Sequence, residues 1–326
     1  MKKIPVAAIV GPTASGKTAL AVSLAERFDA EIVSADSMQI YKGMDIATAK
    51  PTPEEKRGVP HHLMDFLDPG ESYSVADFCE DAKKCIADIV SRGKRVIVCG
   101  GTGLYVDALL KGLDFSAVPD DPALRETLLR RKESEGINAL YEELRGIDPD
   151  MASAVDPRNE KRVLRALEIW YAAGEKPSAV RARAKDAQSG FASVYIGLFF
   201  RDRQVLYDRI DRRVDAMMAN GLADEARGFY ALPASATAAQ AIGYKELKPW
   251  LDGTLPYETA VDNLKRATRR YAKRQITWFG RNHDIFRLER DALTDAALAD
   301  EACRILTEKN CLRRTFADEQ YPNCTR

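Results

Sequence analysis

Residues 4–28 read IPVAAIVGPTASGKTALAVSLAERF, and three signals within them set the fold. The run 4–10 is apolar without alternation, the mark of a short strand buried on both faces. Gly11-Pro12-Thr13-Ala14-Ser15-Gly16-Lys17-Thr18 follows and fits G-x-x-x-x-G-K-[ST]. Over 18–28, Leu20, Leu24 and Phe28 then recur at helical spacing. Strand, glycine-rich loop and helix in that order form an anion cradle. Backbone N–H groups and the helix N-terminus surround phosphate oxygens, Lys17 adds a point charge, and Thr18 is placed to ligate Mg2+.

Outward from this segment, 31–34 (EIVS) and 95–99 (RVIVC) read as further short strands. The stretch 77–92 reads as an amphipathic helix with Phe78, Ala82, Cys85, Ile86 and Ile89 on one face, stopped by Gly93. Later strands are predicted at 194–200 and 285–288. The alternation implies an α/β fold: a P-loop NTPase-like core whose parallel sheet is flanked by helices. From Pro119 to about Ala187 charged helical segments dominate, PALRETLLRRKESEG and NEKRVLRALEIWYAAG among them. This predicts an all-helical insertion domain over 119–187 within a discontinuous core of 1–118 and 188–312. Pro119 and 186–190 would be its hinges, and 313–326 a fraying tail.

The chain has 326 residues, 45% hydrophobic and 30% charged, a core-forming composition with no apolar run long enough to span a bilayer. The opening Met1-Lys2-Lys3 lacks a following signal-peptide pattern, so the cytoplasm and no membrane partner are expected. Six cysteines and three histidines show no zinc spacing. Formal charge balances, 49 basic against 49 acidic residues. Within that balance the run KRATRRYAKRQITWFGR, 265–281, carries Lys273, Arg274 and five other cations with no acid. Such a run reads either as a solvated helix face or as a local polyanion contact.

A nucleotide hydrolase places a metal-holding aspartate after a later strand. Here strand 95–99 ends in Cys99-Gly100-Gly101-Thr102, and the acid lies after the second strand, in Ser34-Ala35-Asp36-Ser37-Met38-Gln39. Adjacent strand ends of a doubly wound sheet would bring Asp36 beside the Gly11 loop. By position alone, Asp36 reads equally well as a site carboxylate or as a cap for the next segment.

The blocks GPTASGKT, SADSMQIYKGMDIATAKP, VPHHLMD, CGGTGLY, NEKRVLRALE and AKRQITWF, in this order between about residues 4 and 281, resemble the tRNA dimethylallyltransferases. The resemblance implies that Gly11–Thr18 holds the diphosphate of dimethylallyl diphosphate with Mg2+, Lys17 and Thr18. Arg213 matches the family's diphosphate-contacting arginine, and Asp36 its general base for N6 of an adenine 3′ to the anticodon. Asp36, Ser37, Met38 and Gln39 would read the flipped base with Thr102 nearby. Arg125, Lys161, Arg162, Val163, Leu164 and Arg165 would meet the anticodon stem-loop, and Lys273 and Arg274 backbone phosphates. The family often has Gln at the place of Lys161, which here reads as a phosphate contact. A monomer is expected. Three other readings share some of these features: a small-molecule kinase with ATP on the loop, an adenylate isopentenyltransferase acting on free nucleotides, and a phosphate-switched RNA-binding protein.

Overall fold

The computed structural model describes residues 3–113, 121–186, 189–235 and 237–312. The expected hinge at Pro119 and the tail after Leu312 lie outside these residues. Two compact units form, one from residues 1–110 and 190–326, the other from 111–189. The division falls at Leu110, earlier than the expected boundary at 118/119, and the helix Gly103–Lys111 buries Tyr105, Val106, Leu109 and Leu110.

The first unit opens with β1 (Ile4–Val10), α1 (Lys17–Phe28), β2 (Ala30–Ser34) and the one-turn α2 (Pro53–Lys56). Next come β3 (His61–His62), α3 (Val75–Ser91), β4 (Arg95–Gly100) and α4 (Gly103–Lys111). The second unit is helical: α5 (Pro122–Glu135), α6 (Ile137–Ile147), α7 (Pro149–Ser153), α8 (Glu160–Ala173) and α9 (Pro177–Asp186). The first unit resumes with β5 (Phe191–Phe199), α10 (Arg203–Ala219), α11 (Leu222–Tyr230) and α12 (Tyr244–Leu251). It closes with α13 (Tyr257–Phe279), β6 (Ile285–Glu289) and α14 (Asp295–Glu308).

All six strands pair in parallel in the order β3-β2-β4-β1-β5-β6. Ala7, Ile9, Ile32, Ile97, Ile196 and Leu198 pack with α1 and α14, while the alternate residues Val6, Ala8, Val10, Val33, Val96 and Val98 are equally buried. Burial on both faces is the reason these strands read as unbroken apolar runs. Val10 is level with Gly100 on one side and Gly197 on the other, and Ser34 with Cys99. The loops after β1, β2 and β4 therefore leave the sheet side by side.

Several boundaries differ from the sequence reading. Helix α3 begins at Val75, before Asp77, because Ser74 and Asp77 form a reciprocal capping box. Strand β5 begins at Phe191, paired with Ile4, because β1 supplies a ladder along its whole length. The two-residue β3 has no sequence signature; it forms where His61 and His62 add to the β2 edge.

That edge is fastened by Glu31, buried in β2. Its carboxylate accepts from Arg92, with Nη2 at 2.8 Å, and contacts His62 Nε2 at 2.6 Å. The Arg92 guanidinium holds the carboxyl down at about 2, below its ordinary 4.5. A depressed carboxyl stabilises the fold above its unfolded value and loses that contribution as pH falls through the folded one. Glu31→Gln is thus expected to cost about 2 kcal/mol at pH 7, allowing for the solvent around Arg92. In denaturant titrations the gap to the parent should close between about pH 4.5 and 2.

Candidate active site

The loop after β1 folds tightly because its residues permit it. Gly11 has φ 143°, and a Cβ there would stand 2.7 Å from the Leu198 carbonyl oxygen of β5. Ala14 (φ 61°) and Gly16 (φ 90°) are also left-handed. Helix α1 then starts at Lys17 with no side-chain cap and no acid in its first turn. Its N–H groups and dipole face the loop uncompensated.

Cations gather around this terminus. Lys17 Nζ donates to Pro12 O at 2.7 Å. From α10, Arg213 Nη1 donates to the Thr13 hydroxyl at 3.4 Å and Arg209 Nε to Ala14 O at 2.8 Å. Among the described residues none of the three forms an ion pair. Burial, with the Arg213 charge adding to it, lowers the Lys17 ammonium to about 8, against the opposing pull of Cys99 and Asp36. Burial likewise lowers Arg213 and, together with Arg290, Arg209. A cavity of about 1170 Å³ opens here, lined by Lys17, Thr18, Arg209, Arg212, Arg213 and Arg290 among others. Arg290 pairs with Asp295 at 2.5 Å; the crowding of Lys17, Arg209 and Arg213 without ion pairs makes a site that an anion stabilises. Arg209 and Arg290 escaped the sequence reading; Arg209 lies one helical turn from Arg213, and that spacing was the available signal.

Asp36 stands at the end of β2, near enough for its charge to act on both Lys17 and Arg213. Its Oδ1 accepts from Met38 N at 2.9 Å and Gln39 N at 3.3 Å, so the capping reading is right for one oxygen. Oδ2 has no hydrogen bond among the described residues and is open to a ligand. Ser37 N donates to Thr102 Oγ1 at 3.1 Å, joining the loops after β2 and β4. Gln39 differs from the expectation that it reads a base. Its Nε2 donates to Thr48 O and Ala49 O, at 3.1 and 3.2 Å, and its Oε1 accepts from Ser34. With its amide fully engaged, Gln39 organises the loop.

The glycines of Cys99-Gly100-Gly101-Thr102-Gly103 answer to close packing. A Cβ on Gly100 would meet Ala35 O at 2.1 Å, on Gly101 the Gln275 amide at 2.1 Å, and on Gly103 the Trp278 ring at 2.3 Å. Trp278 is accordingly a packing residue that donates to Asp107 Oδ2 at 2.9 Å. Tyr105 is buried and stacked on Phe78. The buried Gln275 (4% exposed), absent from the sequence reading, joins the Gly11 loop to this turn.

The segment after Gln39 is pinned from outside by Glu225 of α11. Its carboxylate accepts from the backbone N–H of Asp45 (2.8 Å), Ile46 (2.7 Å) and Ala47 (2.9 Å) and from the Tyr244 hydroxyl (2.9 Å). Lys50, its side chain 6% exposed, ties Asp45 and Asp65 together at 2.7 and 2.6 Å. Asp45, Ile46 and Lys50 line the cavity, so these contacts fix one of its walls.

The basic run on α13 divides in two. Lys265 pairs with Asp215 at 2.6 Å and Arg269 with Asp211 at 2.5 Å, both on α10. Arg266, Arg270, Lys273, Arg274 and Arg281 are exposed and form no ion pair among the described residues. In the second unit Lys161 and Arg162 are exposed, whereas Arg165 and Arg125 flank the buried Glu168 at 3.0 and 3.6 Å. Val163 and Leu164, expected at an RNA surface, are buried in the core with Leu128 and Leu140. Their face of α8 is the apolar one, so their side chains hold the unit together. His61 and His62 lie on the sheet edge, and none of the described cysteines forms a disulfide. Among the described residues no three His, Cys, Asp or Glu side chains cluster as a metal site, and no helix is long and apolar enough to cross a membrane.

Comparison with known proteins adds a second line. Residues 39–283 match the family model described as IPP transferase. The tRNA dimethylallyltransferase of Shouchella clausii is 48% identical over 291 residues, covering 89% of this chain and 93% of that protein. The Bacillus subtilis protein of the same name is 46% identical over 278 residues, 85% and 88% of the two chains. The crystal structure of the tRNA isopentenylpyrophosphate transferase from Bacillus halodurans superposes with a TM-score of 0.70 at 44% identity, over 94% of this chain and 98% of that one. A eukaryotic dimethylallyltransferase, whose crystallographic snapshots describe it acting on tRNA, gives 0.80 at 30% identity, over 98% and 83%.

The Glu225 carboxylate is the acceptor shared by the three N–H groups it gathers. Glu225→Ala is expected to speed hydrogen exchange at Asp45, Ile46 and Ala47 by at least ~10-fold, since each loses a net-stabilising hydrogen bond. Tyr244→Phe, which leaves all three in place, should change those rates by less than about twofold.

Proposed function

The chain belongs to the IPP transferase family, and on that premise we propose that Lys17, Arg213 and the N-terminus of α1 hold the diphosphate of dimethylallyl diphosphate while Asp36 serves the acceptor. The chain is a prenyltransferase. It transfers a dimethylallyl group to N6 of adenosine-37, 3′ to the anticodon of tRNA, giving N6-(dimethylallyl)adenosine and diphosphate. One observation carries the assignment of residues: a half-buried group of cations without ion pairs among the described residues gathers where β1 ends, and a carboxylate with one free oxygen stands just past β2, one strand away across β4.

The chemistry follows from that juxtaposition. The N6 lone pair of adenine is delocalised into the ring, so attack needs a proton to leave; Asp36 Oδ2 accepts it. The new bond joins N6 to the allylic carbon as that carbon's bond to the diphosphate oxygen breaks. The departing charge meets Lys17, Arg213 and the uncapped N–H groups at the start of α1, already in place. Mg2+ would be held by the Thr18 hydroxyl, with substrate oxygens and waters completing its shell, and would neutralise leaving-group charge. A single protein hydroxyl beside an anion cradle suits this ion, which keeps most of its waters.

For the acceptor, Asp36, Ser37, Met38 and Thr102 would surround the flipped adenine. Lys161 and Arg162 with Arg125 and Arg165 on the helical unit would meet the anticodon stem-loop. The exposed stripe of α13, with Lys273 and Arg274, would meet backbone phosphate. A kinase reading is disfavoured because β4 ends in Cys99-Gly100-Gly101-Thr102, with no acid to hold a nucleotide's metal.

Two measurements test the proposal. Mass analysis of tRNA nucleosides after incubation with dimethylallyl diphosphate should show the prenylated adenosine; Asp36→Ala should cut its rate ~100-fold or more while tRNA binding persists. Retention of full activity would make Asp36 only a cap. The second is pH dependence: Lys17 carries its charge below about 8. Affinity for the diphosphate donor should therefore decline as pH rises through about 8, and Lys17→Met should abolish that decline.

A further inference from the structure

The peptide joining Pro12 to Thr13 is held at both poles. Its carbonyl accepts from Lys17 Nζ at 2.7 Å and from Ser15 N at 3.4 Å. Its N–H donates to Gln275 Oε1 at 2.8 Å. The other end of the same amide, Nε2, donates to Gly101 O at 3.0 Å. Gln275 projects from the inner side of α13 and is 4% exposed, so neither bond competes with bulk water. In a phosphate-binding loop the backbone N–H groups are the expected ligand donors. Here the Thr13 N–H is withdrawn from that task and used to orient the peptide whose carbonyl carries the Lys17 ammonium.

We propose that Gln275 is a positioning residue for prenyl transfer: it clamps the Gly11–Thr18 loop to the Gly100–Gly103 turn and so sets where Lys17 stands for the donor diphosphate. The inference rests on the diphosphate reading above and adds a residue to it. Without the clamp the 12–13 peptide keeps only its carbonyl bonds to Lys17 and Ser15, and the carbonyl and the ammonium can shift together. On the acceptor side the clamp meets the Gly101 carbonyl and Tyr271, which lies between Gln275 and Thr102; on the donor side it holds the peptide that carries the Lys17 ammonium, so the larger loss should fall on donor binding.

The bare α-carbon of Gly101 supplies an independent handle. A Cβ there would lie 2.1 Å from Gln275 Nε2. Gly101→Ala must therefore push the amide off its partners while leaving Gln275 in the sequence. Once the amide is gone, the same methyl meets nothing closer than Gln275 Cδ at 3.3 Å, which a Gln275→Ala change also removes, and Gly11 O at 3.7 Å. The two positions should then act through one contact and fail to add.

Steady-state kinetics on the full chain would read KM for dimethylallyl diphosphate, KM for tRNA and kcat in Gln275→Ala, Gly101→Ala and the double variant. The expected result is a donor KM raised about tenfold in each single variant, the scale of losing two net hydrogen bonds. The tRNA KM should stay within about twofold, and the double variant should be no worse than the poorer single one. An unchanged donor KM, equal losses in both KM values, or a double variant showing the product of the two effects would overturn the proposal. Should Gln275→Ala not fold, Gly101→Ala alone decides, by the same donor KM. Should the parent protein fail to turn over dimethylallyl diphosphate, the functional reading falls, and calorimetric titration with inorganic diphosphate still reports the clamp: equal affinity in parent and Gly101→Ala overturns it.

Discussion

The constraint on which the site depends is an imbalance of charge held in a half-buried place. Lys17, Arg209 and Arg213 converge on the uncapped N-terminus of α1, and among the described residues no carboxylate pairs with any of them. Burial already pulls the Lys17 ammonium to about 8. Such an arrangement opposes folding, and it persists because the rigid β1 and β5 backbones and the left-handed residues at 11, 14 and 16 over-determine the loop. On the proposed reading an arriving diphosphate would relieve the repulsion, and the same imbalance would stabilise it as it departs, so that one feature would serve donor binding and leaving-group chemistry.

The acceptor side is built on the opposite principle, polar groups satisfied almost completely. Gln39 links the Asp36 turn to Thr48 and Ala49, Glu225 gathers three consecutive N–H groups of the same segment, and Lys50 closes it against Asp45 and Asp65. Beside these satisfied groups Asp36 Oδ2 has no hydrogen bond among the described residues, and on the proposed reading it is the atom that a base held on a loop would use.

Helix α13 serves both sides at once. Its inner residues, Gln275 and Trp278, fill the space that Gly101 and Gly103 leave. Its outer residues Arg266, Arg270, Lys273 and Arg274 stay exposed, with no ion pair among the described residues, while Lys265 and Arg269 are drawn off by α10 acids. A run of cations that looked uniform along the chain is therefore two populations, one structural and one available to a polyanion.

How much of this could be read from the sequence follows from the range of the forces involved. Local patterns determined the phosphate loop, the buried strands and the helical stretch from Pro122 to Asp186, because glycine conformation, apolar runs and helical spacing act over a few residues. The same locality placed Lys17, Thr18 and Asp36. What only the tertiary structure decided involves partners far apart in the chain. Arg209 reaches Ala14, Glu225 reaches Asp45, and Gln275 reaches Thr13 across 262 positions. It also decided which members of a motif face inward, turning Val163 and Leu164 into core and Gln39 into a brace. Hydrogen bonds and burial are set by which surfaces meet, and a linear pattern does not encode that meeting for any single residue.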